Sequence, residues 1–349
     1  METQDNNAAT PSFCMLELSA HSKDIVYVFL YNGTRFFVTI SAEDLEGKGE
    51  LLHQFNNFKA ELDDPDNMFH FEEWVLAALD GFMRQAAPTP APGAPKVITL
   101  LEYFSPTTFA FNLVNNEGSL SAVQECYHPE MHGDTSPRTQ IVDSLDLTDS
   151  HDVDPEVILR STLPSVPVIP ASKLERVSEG LCAEELSDIP TKVRHVDTNN
   201  VFFFKAGFKD HGHLRELGVL SQINSSQVSP PLRTSKLVGL VVWDDDVSCL
   251  MGFLLEYIEG ETLDLRAESA SAENKMKWMR QIEVTVKQLH KLGIVWGDVK
   301  PDNVIVDSAG DAVVVDFGGG YTPGYIEKGL QQTFQGDLVG LDHMAAEMG

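Results

Sequence analysis

The strongest constraint on this 349-residue chain is a polar cluster near its end, where Asp298, Lys300, Asn303 and Asp316 fall among turn-forming residues. The run reads Gly293-Ile-Val-Trp-Gly-Asp298-Val-Lys300-Pro-Asp-Asn303 and continues into two short apolar runs, Val304 to Val306 and Ala312 to Val315. It closes on Asp316-Phe317-Gly318-Gly319-Gly320. Two apolar runs around turn residues predict a hairpin. The loop before it and the strand end after it would then bring carboxylate and amide groups together with one ammonium. Glycines 318 to 320 let the backbone turn tightly beside them. An amphipathic helix is predicted over Ala272 to Leu292, because Met279, Ile282, Val286 and Leu289 recur at three- and four-residue steps. Ser271 is its candidate N-cap, and Gly293 closes it.

That set of groups suits phosphoryl transfer. Its transition state spreads negative charge over phosphate oxygens, which calls for divalent cations held by an Asp and an Asn, and for an Asp that orients the attacking hydroxyl. Upstream, Val201-Phe-Phe-Phe-Lys205 reads as a strand ending in a lysine, ninety-three residues before Asp298. The helical run His213-Leu-Arg-Glu-Leu-Gly-Val-Leu holds Glu216, the only acidic residue between Asp210 and Asp244. Lys236 to Trp243 and Val247 to Tyr257 form a predicted hairpin tipped by Asp244, Asp245 and Asp246. Each feature alone has an ordinary reading: an edge lysine, a helix-surface glutamate, an Asp-Phe-Gly turn. Their order and spacing carry the joint reading.

Taken together, these residues resemble the protein kinases, whose catalytic loop reads His-Arg-Asp-Leu-Lys-Pro-x-Asn and whose metal-binding motif is Asp-Phe-Gly. The likeness is strongest to compact, divergent kinase-like proteins common in fungi, through Gly297 to Asn303, Asp316 to Gly320 and Gly336 to Leu338. The resemblance implies an α+β fold: a bilobal kinase-like domain with a β-rich N-lobe over about 163–259 and a short helical C-lobe over about 260–349. It implies ATP and Mg2+ as cofactors. By matching position, Asp298 is the catalytic base or hydroxyl-orienting residue, Lys300 neutralises the transferring phosphate, and Asn303 and Asp316 hold magnesium. Lys205 would contact the α- and β-phosphates, with Glu216 as its partner. Backbone groups of Glu256, Tyr257 and Ile258 would meet adenine, and Asp337 would hold the catalytic-loop backbone in a structural role.

The sequence also departs from the family. The family's glycine-rich loop is reduced to Gly180 in the region Leu174 to Arg194, with Ser178-Glu179-Gly180 as the nearest substitute and Glu184, Glu185 and Asp188 close by. Trp296 and Gly297 stand where the family has His and Arg, which removes the arginine that pairs with a phosphorylated activation segment. There is no Ala-Pro-Glu motif, and the sequence ends twelve residues after Asp337, which implies a C-lobe without the peptide-docking helices. Three functions stay open: a Ser/Thr protein kinase-like enzyme, a small-molecule kinase of the choline or aminoglycoside type, and a kinase-shaped binding module. Lys300 and Pro301 favour the first over the second.

The remainder of the chain predicts a smaller α+β domain over 1–138. Asn32-Gly33 between β-rich runs is a hairpin signal. Leu51 to Phe58 and Phe71 to Met83 read as helices, the second through Phe71, Trp74, Val75, Ala78 and Phe82. Ala86 to Pro95 reads as a connector, and Val97 to Phe104 and Thr108 to Val114 as strands. Between Thr139 and Leu159 lie six acidic residues and no Lys or Arg, so 139–162 reads as an acidic linker, with a solvated domain edge as the alternative. A formal charge of -28 argues against nucleic-acid or anionic-membrane partners. The polar N-terminus and the unpaired spacing of Cys14, Cys126, Cys182 and Cys249 point to an intracellular protein, cytoplasmic or nuclear. The expected partners are ATP and a protein or small-molecule hydroxyl acceptor.

Overall fold

The computed structural model describes residues 12–89, 98–129, 132, 136–140, 166–177, 189–208, 211–226, 228, 232–320, 322–323 and 325–348. Ser178-Glu179-Gly180, Glu184, Glu185, Asp188 and residues 141–162 of the predicted linker lie outside them. The chain divides into two units, the first running to Thr135 and the second taking Ser136–Val177 and Pro190–Gly349.

The first unit is a five-stranded sheet in the order β1-β2-β3-β4-β5, formed by β1 (Phe13–Ala20), β2 (Asp24–Tyr31), β3 (Thr34–Ser41), β4 (Thr108–Asn116) and β5 (Ser119–Glu125). Asn32 (φ 50°) and Gly33 (φ 82°) turn the β2–β3 hairpin. β3 and β4 run parallel, so the chain must cross over between them. It does so through α1 (Leu51–Ala60), α2 (Pro65–Ala86) and α3 (Leu100–Phe104). Phe71, Val75, Leu79 and Met83 of α2 are buried one turn apart in a core with Phe29, Phe36 and Phe111. Phe82, predicted for that face, is 38% exposed, and Leu79 and Met83 take its place in the core.

The predicted strand Val97 to Phe104 is corrected to a helix over Leu100–Phe104. The reason is a capping box. The Thr99 hydroxyl accepts from the Glu102 amide at 3.2 Å, and the Glu102 carboxylate accepts from the Thr99 amide at 2.9 Å.

The second unit contains a seven-stranded sheet. Its order is β7-β11-β12-β10-β9-β8, from β7 (Val168–Pro170), β8 (Leu174–Arg176), β9 (Lys192–His195), β10 (Val201–Ala206), β11 (Leu237–Val242) and β12 (Cys249–Glu256). The seventh strand, β6 (Thr139–Gln140), pairs with Cys249 and Leu250 at the start of β12. Thr139 and Gln140 therefore do not belong to a linker. Thr139 is 1% exposed, and its hydroxyl donates to the Gly207 carbonyl at 2.9 Å. The Trp243 indole donates to Pro137, and the Arg138 guanidinium lies 3.8 Å over the Trp243 ring. The acidic hairpin tip is a set of caps: Asp244 accepts from Ser172, Asp245 pairs with Arg138, and Asp246 accepts from Ser248.

α4 (His211–Ser225) follows β10, while β13 (Gly260–Thr262), β14 (Val304–Asp307) and β15 (Ala312–Val314) form a second, small sheet. Around it lie α5 (Leu263–Ala267), α6 (Ala272–Lys291) and α7 (Phe334–Met348). Ser271 caps α6 by accepting from the Asn274 amide, and Gly293 (φ 75°) ends it. One continuous core joins Leu217 and Leu220 of α4 to Ile282, Val286 and Leu289 of α6, and to Trp296, Phe317 and Met344. This mixed α/β arrangement fits the two-lobed fold that the sequence implies. Its core ties the strands carrying Lys205 to the loop carrying Asp298.

Candidate active site

Lys205 is the fifth residue of β10 and pairs with Phe253 of β12. Its neighbour across the ladder is held close: a Cβ at Gly252 would lie 2.1 Å from the Lys205 carbonyl, so only glycine fits. The Lys205 Nζ lies 2.7 Å from Glu216 Oε2 on α4 and 3.2 Å from Asp316 Oδ1. Glu216 Oε1 also accepts from the Phe317 amide at 3.4 Å. Burial by itself disfavours charge on Lys205, but Glu216 and Asp316 outweigh it and hold the ammonium above the ordinary lysine value. Burial also raises the Glu216 carboxyl above its usual range, an effect Lys205 only partly offsets.

The second group is built on the loop after α6. Asp298 Oδ2 accepts from Lys300 Nζ and from Asn303 Nδ2, each at 3.0 Å, and Asn303 Nδ2 also donates to the Asp298 carbonyl at 2.9 Å. Asp298 Oδ1 accepts from the Thr322 hydroxyl at 3.2 Å. Proline at 301 starts a short 3-10 turn, where its fixed φ suits the first position, and this turn swings Asn303 back under Asp298. The Asn303 carbonyl accepts from the Val315 amide at 3.0 Å, one residue before Asp316, which ties this group to the Lys205 cluster. The Trp296 indole adds bonds to the carbonyls of Val315 and Asp316 at 3.0 and 3.2 Å.

Asp316 takes φ 60°, a conformation unfavourable for a side chain-bearing residue and common at active sites. The glycine run after it is constrained in space: a Cβ at Gly320 would lie 2.8 Å from Asp298 Oδ2. Beneath the loop, Asp337 is 1% exposed at the start of α7. Its Oδ2 accepts from the Trp296 amide, its Oδ1 from the Gly297 amide, and His290 Nε2 lies on Oδ2, all at 2.8 Å.

Lys205, Glu216, Asp298, Lys300, Asn303 and Asp316 thus form two linked clusters. Glu256 is the last residue of β12, and Tyr257 and Ile258 follow it on the connection to β13. The Glu256 amide donates to the Lys236 carbonyl at 3.0 Å, its carboxylate pairs with Lys236 Nζ at 2.9 Å, and Lys192 sits over the Tyr257 ring. Sequence reasoning did not single out Thr322 or Arg215. Thr322 follows the glycine run with no motif to mark it, whereas Arg215 stands beside Glu216 on the same helix.

The donor set fits a hard divalent cation. Asn303 uses its Nδ2 on Asp298, so its Oδ1 is the atom suited to a metal, and the Asp316 carboxylate is 43% exposed and open to solvent. No cluster of three or more His, Cys, Asp or Glu suited to metal occurs among the described residues. Two oxygen ligands completed by phosphate and water are what Mg2+ accepts.

Residues 191–337 match the protein kinase domain. A probable serine/threonine-protein kinase of Dictyostelium discoideum is 25% identical over 130 residues, 36% of this chain and 28% of that protein. Mitogen-activated protein kinase kinase 9 of Arabidopsis thaliana is 27% identical over 156 residues, 43% of this chain and 47% of its own length. Ribosomal protein S6 kinase beta of Caenorhabditis elegans is 37% identical over 68 residues, 19% of this chain and 12% of its own. The chain therefore spans less than half of each of these relatives. The segment around the Lys205 and Asp298 clusters is a protein-kinase-like domain. No helix among the described residues is long and apolar enough to cross a membrane.

Proposed function

We propose that the second unit binds ATP with Mg2+ and transfers the γ-phosphoryl group to a Ser or Thr hydroxyl of a protein. The observation that carries this reading is the reach of Lys205 to both Glu216 and Asp316, across 11 and 111 residues of sequence. An ammonium held charged between two carboxylates, one of them exposed, is a site for polyphosphate once a metal takes up Asp316. Bound Mg2+ would supply charge neutralisation on the phosphate oxygens, with Asp316 and the Asn303 Oδ1 as its protein ligands. The Thr322 hydroxyl on Asp298 Oδ1 illustrates the contact an acceptor hydroxyl would make there. Asp298 takes that hydroxyl's proton as the new P–O bond forms and the bond to the ADP oxygen breaks. Lys300, 3.0 Å from Asp298, supplies positive charge beside the phosphoryl group in flight. Because the Glu256 amide is engaged by Lys236, adenine would address the backbone beyond it, at Tyr257 and Ile258.

A Ser/Thr acceptor follows the likeness to the probable serine/threonine-protein kinase of Dictyostelium discoideum, and Lys300-Pro301 weighs against a small-molecule acceptor. The further likeness to compact fungal kinase-like proteins, and work inside the cell in cytoplasm or nucleus, rest on sequence alone. One observation favours a second reading, a nucleotide-binding module without transfer: Asp298 is already held by Lys300, Asn303 and Thr322. Labelled ATP separates the two. Transfer to protein substrate by the wild type, lost in both Asp298→Asn and Asp316→Asn, is expected. Nucleotide binding without any transfer would favour the module, and transfer retained by either variant would overturn the assigned roles. Saturating ATP and Mg2+ at about 100 times the dissociation constant should stabilise the fold by ~2.7 kcal/mol.

A further inference from the structure

Gly297 stands where the resemblance calls for an arginine, yet a guanidinium is present at that place. It comes from another element. Arg215 on α4 donates from Nη2 to the Val295 carbonyl at 2.7 Å, and from Nη1 to the carbonyls of Trp296, at 3.2 Å, and Phe317. A Cβ built on Gly297 would lie 2.9 Å from Arg215 Nη2, so a side chain at 297 and the Arg215 guanidinium compete for one space. A Cβ at Gly319 would likewise come within 3.4 Å of the Arg215 Cδ. Both glycines have positive φ, 91° and 75°. The loop ahead of Asp298 and the turn after Asp316 thus wrap an arginine that neither of them carries.

We propose that Arg215 is a positioning residue that clamps the Asp298 loop and the Asp316 turn to α4. The placement of the two catalytic segments is thereby coupled to the Lys205–Glu216 pair. The coupling follows from adjacency. Glu216 is the next residue on the helix, holds Lys205 at 2.7 Å, and accepts from the Phe317 amide, while Arg215 holds the Phe317 carbonyl. Both sides of Phe317 are therefore bonded to consecutive residues of α4. A shift of α4 that breaks the Lys205 pair also withdraws the guanidinium from three carbonyls on two segments. Those carbonyls belong to the chain itself, so the clamp closes without a phosphate on the activation segment.

This inference rests on the phosphotransferase reading only for its kinetic arm. The direct test is amide hydrogen exchange in the full chain, comparing wild type, Arg215→Ala and Arg215→Lys. Loss of charge-assisted bonds predicts exchange about tenfold faster or more in Arg215→Ala at Trp296, Gly297, Phe317 and Gly318 together. Amides of Thr285 to Leu289, in the C-terminal third of α6, should stay at wild-type rates. Arg215→Lys, which keeps the charge but not the fork, should fall between the two, and it serves as the test variant if Arg215→Ala does not fold. In the kinetic arm, kcat of Arg215→Ala should drop about tenfold per folded molecule with a smaller change in KM for ATP, and Arg215→Lys should recover part of it. Wild-type exchange at the four amides, or acceleration in only one of the two segments, overturns the clamp. An inactive wild type with the expected exchange pattern would sink the phosphotransferase reading and leave the clamp standing.

Discussion

Replacing Asp337 by Asn should destabilise the second unit far more than its small change in shape suggests. The carboxylate is 1% exposed and accepts from two backbone amides and from His290 Nε2, all at 2.8 Å. An Asn keeps one oxygen and turns its NH2 toward a donor, so at least one buried N–H is left without an acceptor. Losing a charge-assisted bond costs about 1.5–3 kcal/mol, and an orphaned buried donor about 1–3 kcal/mol, giving a total near 3 kcal/mol. Urea unfolding followed by tryptophan fluorescence reports on this, because Trp243, Trp278 and Trp296 all belong to the second unit. With a slope of about 1–3 kcal/mol per molar, the midpoint should fall by roughly 1–3 M at unchanged slope. Asp342→Asn, at an exposed position of the same helix, should move the midpoint by less than about 0.5 M, as surface changes stay within about 0.5 kcal/mol. Equal midpoints for Asp337→Asn and Asp342→Asn would refute the claim that Asp337 holds the loop backbone.

Further outcomes follow from the same geometry. A chain beginning at Ser136 should be more stable than one beginning at Ile141, by about 2–4 kcal/mol, because the latter loses the Thr139, Pro137 and Arg138 contacts to Gly207 and Trp243. Identical melting of the two would show that this segment is not integral to the sheet. Asp311 is held well below the usual carboxylate range, first by its hydrogen bond from Gln281, then by Lys277 and Arg233. Its folded pKa is depressed, so its contribution to stability is complete above the unfolded value of about 4 and is lost as pH falls below it. The stability gap between wild type and Asp311→Asn should therefore be constant from pH 7 to about 5 and narrow in more acid solution, and a gap that widens there contradicts the assignment. Gly320→Ala would place a Cβ 2.8 Å from Asp298 Oδ2 and should lower phosphate transfer while leaving nucleotide affinity near wild type. Unchanged turnover would mean that Asp298 tolerates displacement.

Much of this protein is local chemistry, and that part the amino-acid order determined by itself. The β2–β3 turn needs positive φ at Asn32 and Gly33, α6 starts at the Ser271 hydroxyl and stops at Gly293, and the hairpin between Asn303 and Asp316 is written in its apolar runs. Each depends on residues within a turn or two of one another. At α3 the apolar run predicts a strand by propensity, and the Thr99–Glu102 capping box overrides it to give a helix. What only the tertiary structure decided is which distant groups share one space. Two residues of the acidic tract's start are drawn into a sheet by Cys249 and Leu250, against the charge pattern around them. An arginine on α4 occupies the room left by a glycine eighty-two positions away. Thr322 meets Asp298 because a glycine run lets the backbone pass close. Such meetings depend on how packed helices and strands aim their side chains across the core, and no spacing along the chain encodes that direction.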